Sequence, residues 1–125
     1  MTEIAKFLKK IRIDNEQNLG DMAEKIGLSA AYLSAVENNK RIAPKDMKEN
    51  IFREYNLSKE QQLELSRLIA ESRKKVEIEL SSIQEDMLPE CVDTAVMFAN
   101  DLSKMNRQQL TMVKEILIKI KEDNM

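Results

Sequence analysis

With 125 residues and 42% hydrophobic content, the chain can bury one modest core with an appended extension, which excludes two large independent domains. Charged residues make up 34% of it and glycine and proline occur only twice each, a helix-forming composition that points to an all-α fold. The net charge of −2 divides unevenly: residues 1–57 hold 10 Lys/Arg against 9 Asp/Glu, and residues 58–125 hold 10 against 13, so any contact with nucleic acid must rest on local placement.

Taken in chain order, Ile4, Phe7, Leu8 and Ile11 recur at helical spacing after Thr2, predicting a capped first helix over residues 3–13. After a polar break at 14–18, Leu19, Met22, Ala23 and Ile26 form a second short stripe that Gly27 ends in a left-handed turn. Ser29 caps a third helix with Leu33 and Val36 facing inward, Tyr32 at its edge and Asn38-Asn39 at its end. Pro44 suits the first turn of a fourth helix carrying Met47, Ile51, Phe52 and Tyr55. Ser58 to Gln61 has the form of a capping box and opens a fifth helix, with Leu65, Leu68 and Ile69 inside, that runs to about residue 72.

The period then changes. Val76, Ile78 and Leu80 alternate with Glu77 and Glu79, the pattern of a half-buried strand, which is expected either to pair with its copy across a dimer or to be irregular, the former being preferred. Residues 81–85 read as a linker. Two further amphipathic helices are predicted at about 86–103 (Leu88, Cys91, Ala95, Phe98, Ala99, Leu102) and 107–122 (Leu110, Val113, Ile116, Leu117, Ile120), the second capped by Asn106 with Gln109. Both apolar faces are expected to be sequestered.

No run approaches the roughly 20 apolar residues of a membrane span, and the N-terminus lacks the apolar core of a signal peptide, so a cytoplasmic location is expected. There is no histidine, the single Cys91 has no base partner, and neither a phosphate-binding glycine loop nor paired metal ligands occur. Catalysis, a cofactor and a metal are therefore not expected. Cys91 and the eight methionines read as core filler.

The informative stretch is Leu19 to Arg41, LGDMAEKIGLSAAYLSAVENNKR, two short helices flanking a tight turn. Ala23 is small where the second helix crosses the first, Gly27 permits the turn, and Ser29 frees the N-terminus of the next helix to face outward. Met22, Ala23, Gly27, Leu28, Ser29, Tyr32, Leu33, Ser34, Glu37 and Arg41 stand where the Cro/CI (Xre) helix-turn-helix has its pattern, and the segment resembles that family over about residues 3–70. The resemblance implies a five-helix lambda-repressor-like DNA-binding domain at 1–72, a homodimer on a two-fold operator and a role in repressing promoters. Residues 73–125 would be a dimerisation or partner-binding extension of one short strand and two helices.

Carried over residue by residue, the resemblance implies base-facing positions at Ala30, Ala31, Ser34 and Ala35, with phosphate contacts near Tyr32, Asn38, Lys40 and Arg41. Three alanines offer no hydrogen bonds, so direct readout would rest on thymine methyl groups and Ser34. Leu19 stands where the family often has Gln, and Asn39 where it often has Gly. Ala23, Gly27, Ser29, Leu33 and Glu37 are read as structural, Glu37 pairing with Arg41 or a backbone amide. Lys6, Lys9, Lys10 and Arg12 could line DNA, but a solvated outer face of the first helix is the preferred reading, and Arg73 to Lys75 could touch phosphates, with cations suited to a helix end preferred. The alternative function is an antitoxin whose acidic C-terminal region covers a basic protein toxin while the N-terminal half autoregulates. A small basic reading frame beside the gene would favour it.

Overall fold

The computed structural model describes all residues 1–125 and is all-helical: α1 (Glu3–Asp14), α2 (Leu19–Lys25), α3 (Ala30–Glu37), α4 (Met47–Glu54), α5 (Lys59–Arg73), α6 (Leu88–Asp101), a 3₁₀ turn (Leu102–Lys104) and α7 (Arg107–Asp123). It divides into two units, Met1–Glu77 and Ile78–Met125. No helix is long and apolar enough to cross a membrane.

In the first unit four of the five helices, α1, α2, α3 and α5, start at a side chain that satisfies a free backbone amide. The Ala5 amide donates to Thr2 Oγ1 at α1 and the Tyr32 amide to Ser29 Oγ at α3. Asn18 with Asp21 and Ser58 with Gln61 form reciprocal capping boxes at α2 and α5. Helices α1, α2 and α3 all stop by one device: a left-handed residue, Glu16, Gly27 or Asn39, follows the last turn. The next amide then reaches back five residues, Gln17 to Arg12 O, Leu28 to Ala23 O and Lys40 to Ala35 O, at 2.8, 2.9 and 2.8 Å.

At Gly27 an added Cβ would meet nothing within 4 Å, so only its φ of 75° resists a side chain. Gly27→Ala is therefore expected to lower stability by about 1 kcal/mol, and Glu16→Gly to raise it by a similar amount. Urea midpoints that shift in opposite directions, with unchanged slopes, are the check.

The core of this unit is continuous, with Leu8, Met22, Leu33, Met47, Ile51 and Leu65 fully enclosed among α1 to α5. Helix α5 packs on both α1 and α4. Tyr55 is also buried; its hydroxyl donates to Gln17 Oε1, and burial pushes its phenol above the ordinary value.

Three expectations need correction here. Helix α4 begins at Met47, with Pro44 in the turn before it, because Ala43 is fully buried and its backbone is fixed by α5: its amide donates to Ser72 Oγ and its carbonyl accepts from Arg73 Nη1. Arg73 is thus part of the packing, not a solvated helix end. Arg12 is buried as well, since it lies four residues beyond Leu8, on the inward stripe of α1, whereas Lys6, Lys9 and Lys10 are exposed.

The second unit differs from expectation more strongly. The alternating segment forms no strand; it is irregular, with Val76 75% and Ile78 63% exposed, because a single extended segment has no ladder partner within the chain. Helix α6 starts at Leu88, two residues later than expected, with Pro89 in its first turn; Asn106 with Gln109 forms the capping box of α7, as the sequence predicts. The two amphipathic faces are not sequestered. No residue of α6, the 3₁₀ turn or α7 is buried, and Cys91 is only half-buried.

Candidate nucleic-acid interface

Helices α2 and α3 are the most closely engaged pair in the chain. Ala23 at their crossing is 1% exposed, and Leu33 and Val36 bury the inner face of α3 while Leu28 is half-covered in the turn. A larger residue than alanine would separate the helices, which is the packing reason for the small side chain.

The orientation of α3 is fixed from its far end. The carboxylate of Glu37 is buried and accepts from Arg12 Nη1 at 2.9 Å, and the same nitrogen lies 3.5 Å from Met22 Sδ. The Glu37 carbonyl accepts from the Thr2 hydroxyl at the start of α1. The expected partner Arg41 is not involved. One side chain of α1 therefore contacts both helices of the turn motif, and a buried charge is neutralised at the point where they meet.

The residues opposite that buried stripe form one face. Ala30 and Ala31 are exposed, Ser34 and Ala35 half-exposed, and the spacing i, i+1, i+4, i+5 puts all four on one side of α3. Asn38 extends this face by one turn: its Nδ2 donates to Ser34 O at 2.9 Å and lies 3.4 Å from Ser34 Oγ. Ser34 keeps its hydroxyl proton free to donate. With Ser29 Oγ taking the Tyr32 amide, the amides of Ala30 and Ala31 at the positive end of the helix have no acceptor within the protein.

Flanking this face, Lys40 and Arg41 are exposed and belong to no ion pair. Their backbone amides both donate to Ala35 O, which holds them in a fixed place past the end of α3. Tyr32 donates its hydroxyl to Ile42 O at 3.1 Å, tying the loop that carries Lys40 and Arg41 back to α3. It positions the cations.

Lys74 belongs to the cationic run that the sequence assigns to a helix end. Lys74, left-handed at the end of α5, lines the same cleft as Lys40 and Arg41, alongside Thr2, Asn39 and Glu71, and is likewise unpaired. Nothing in a linear reading joins positions 40 and 74; only the return of α5 onto α1 does. Lys75, beside it, pairs with Glu77 at 3.4 Å.

The arrangement offers an exposed strip of three methyl groups and one hydroxyl, with free amides at its start and free cations just past its end. Groups of three or more acidic, histidine or cysteine side chains able to hold a metal ion are absent. Comparison with protein families, with characterised proteins and with solved structures finds no match.

Proposed function

We propose that the protein is a sequence-specific DNA-binding transcriptional regulator that acts as a homodimeric repressor. The observation that carries this reading is the α2–turn–α3 pair itself: its inner face is locked by Ala23, Leu33 and the Arg12–Glu37 pair, while its outer face is free, with unpaired Lys40 and Arg41 just past its end and Lys74 in the cleft that those two share with Glu3 and Glu71.

In this reading the N-terminus of α3 enters the major groove. The methyl groups of Ala30, Ala31 and Ala35 pack on thymine methyls, Ser34 donates to a base edge, and Asn38 stands next in line. Lys40, Arg41 and Lys74 neutralise phosphates on the groove wall, and the free amides of Ala30 and Ala31 add a contact of the same kind. Two copies place their α3 helices one DNA turn apart, about 34 Å, and a bound promoter is thereby closed to polymerase. With one hydroxyl and three methyl groups on its base-facing strip, the protein discriminates by shape and thymine content more than by hydrogen bonding.

Selection of bound duplexes from a random-sequence pool tests this. Enrichment of a thymine-containing inverted repeat with half-sites about 10 base pairs apart is expected. A pool that emerges without any sequence preference would refute specific recognition.

A further inference from the structure

Residues 78–125 fold into helices that bury no residue fully: Leu88, Cys91, Ala95 and Phe98 on α6 and Val113 on α7 are half-buried, and the rest of the apolar side chains of these two helices lie open. Val96 and Met97 on α6 are 52% and 58% exposed, and Ile116, Leu117 and Ile120 on α7 are 58%, 57% and 51% exposed. The 3₁₀ turn simply continues α6 along the chain, and no helix pairing like those of the first unit joins α6 to α7. Isolated helices of 14 and 17 residues with no buried face do not offset the conformational entropy of ordering them, so this unit requires a cover.

The faces show what kind of cover. Leu110, Val113, Leu117 and Ile120 recur at the 3-4 spacing of a helix-packing seam, and Leu88, Cys91, Ala95 and Phe98 do so on α6. Cys91 and Ala95 are small, which admits a second helix at close range. Charge then selects among partners. Helix α6 carries Glu90, Asp93 and Asp101 and no Lys or Arg; α7 carries Arg107, Lys114, Lys119 and Lys121 beside its acids. Pairing α6 with another α6 sets acid against acid, whereas an amphipathic helix with cations on its flanks complements it, and the chain itself supplies one in α7.

We propose that α6 of one chain packs against α7 of a second copy, and α7 against the second copy's α6, closing a four-helix arrangement about a two-fold axis in which folding of this unit is coupled to association. The two pairings are equivalent by symmetry, so one complementary surface is used twice. This deepens the homodimeric reading above, on which it rests, by assigning the joining surface to these helices and not to the 76–80 segment.

The test is sedimentation velocity on the full chain at micromolar concentration, combined with amide hydrogen exchange. The wild type is expected to sediment as a dimer, with protection over residues 88–123 that rises with protein concentration. Leu117→Glu buries a charge in the seam and is expected to weaken association by about 100-fold or more, removing protection there but not over residues 3–73. Two charge-reversed chains, Lys114→Glu/Lys121→Glu and Glu90→Lys/Asp93→Lys, are each expected to dimerise about tenfold more weakly at low salt and to recover when mixed.

A monomeric wild type, a dimer that survives Leu117→Glu, or a mixture that does not recover would each overturn the proposal. The DNA reading fails separately. A monomeric Leu117→Glu chain still binds one half-site weakly if that reading holds, whereas wild type and variant both lacking any duplex preference would remove the DNA reading and leave the dimer result standing.

Discussion

Glu37→Ala is expected to destabilise the N-terminal unit by about 3–5 kcal/mol, the largest effect of any single substitution away from the apolar core. The carboxylate and the Arg12 guanidinium are both nearly enclosed, with side chains 7% and 11% exposed, and lie 2.9 Å apart. Removing the acid leaves a buried guanidinium with only Met22 Sδ beside it, and a buried unpaired charge is far more costly than the pair is favourable. A domain of this size has a total stability of about 5–15 kcal/mol, so the loss is a large share of it. The double replacement Arg12→Met with Glu37→Leu removes both charges and fills the space, and is expected to recover most of the loss. Urea unfolding followed by circular dichroism, with amide exchange over residues 3–73, measures both variants. A loss below about 1 kcal/mol for Glu37→Ala would mean that the pair is solvated and does not hold the turn motif.

Lys40→Ala/Arg41→Ala is expected to have the second large effect, on DNA affinity and not on stability. Both side chains are exposed and unpaired, and the backbone amides that close α3 remain in the variant, so the urea midpoint should be unchanged. Binding should weaken for every duplex alike, because phosphate contacts carry no sequence information. The slope of log affinity against log salt should become shallower by about 0.9 for each phosphate that a copy no longer neutralises. A changed sequence preference with an unchanged salt slope would place these residues at base edges instead.

These two sites differ in how far a linear reading reaches them. The turn motif is spelled out locally: Gly27, Ser29 and Ala23 each answer a constraint set within a few residues, and the capping boxes at Ser58 and Asn106 are equally local. The Arg12–Glu37 pair spans 25 positions and is masked by three neighbouring lysines. Its one advance signal was phase, since Arg12 continues the Ile4–Leu8 stripe while Lys6, Lys9 and Lys10 do not.

The start of α4 was misplaced for a similar reason. A proline usually opens a helix, yet here Ser72 and Arg73, 29 and 30 residues away from Ala43, hold the preceding backbone. The strict alternation at 76–80 describes side-chain chemistry that a strand would use, but a strand also needs a neighbour, and none exists within one chain. For α6 and α7 the sequence states that an apolar face wants cover, and periodicity alone does not say whether the cover lies within the chain; the structure leaves both faces without a fully buried residue.

Fluorescence anisotropy tests whether α3 and its flanking cations read DNA. Full-length protein would be titrated against the selected duplex and a scrambled duplex of equal composition, at two salt concentrations. At least about 1,000-fold tighter binding to the selected duplex is expected, with both affinities falling as salt rises. Equal affinity for the two duplexes, or binding indifferent to salt, would contradict DNA reading by α3.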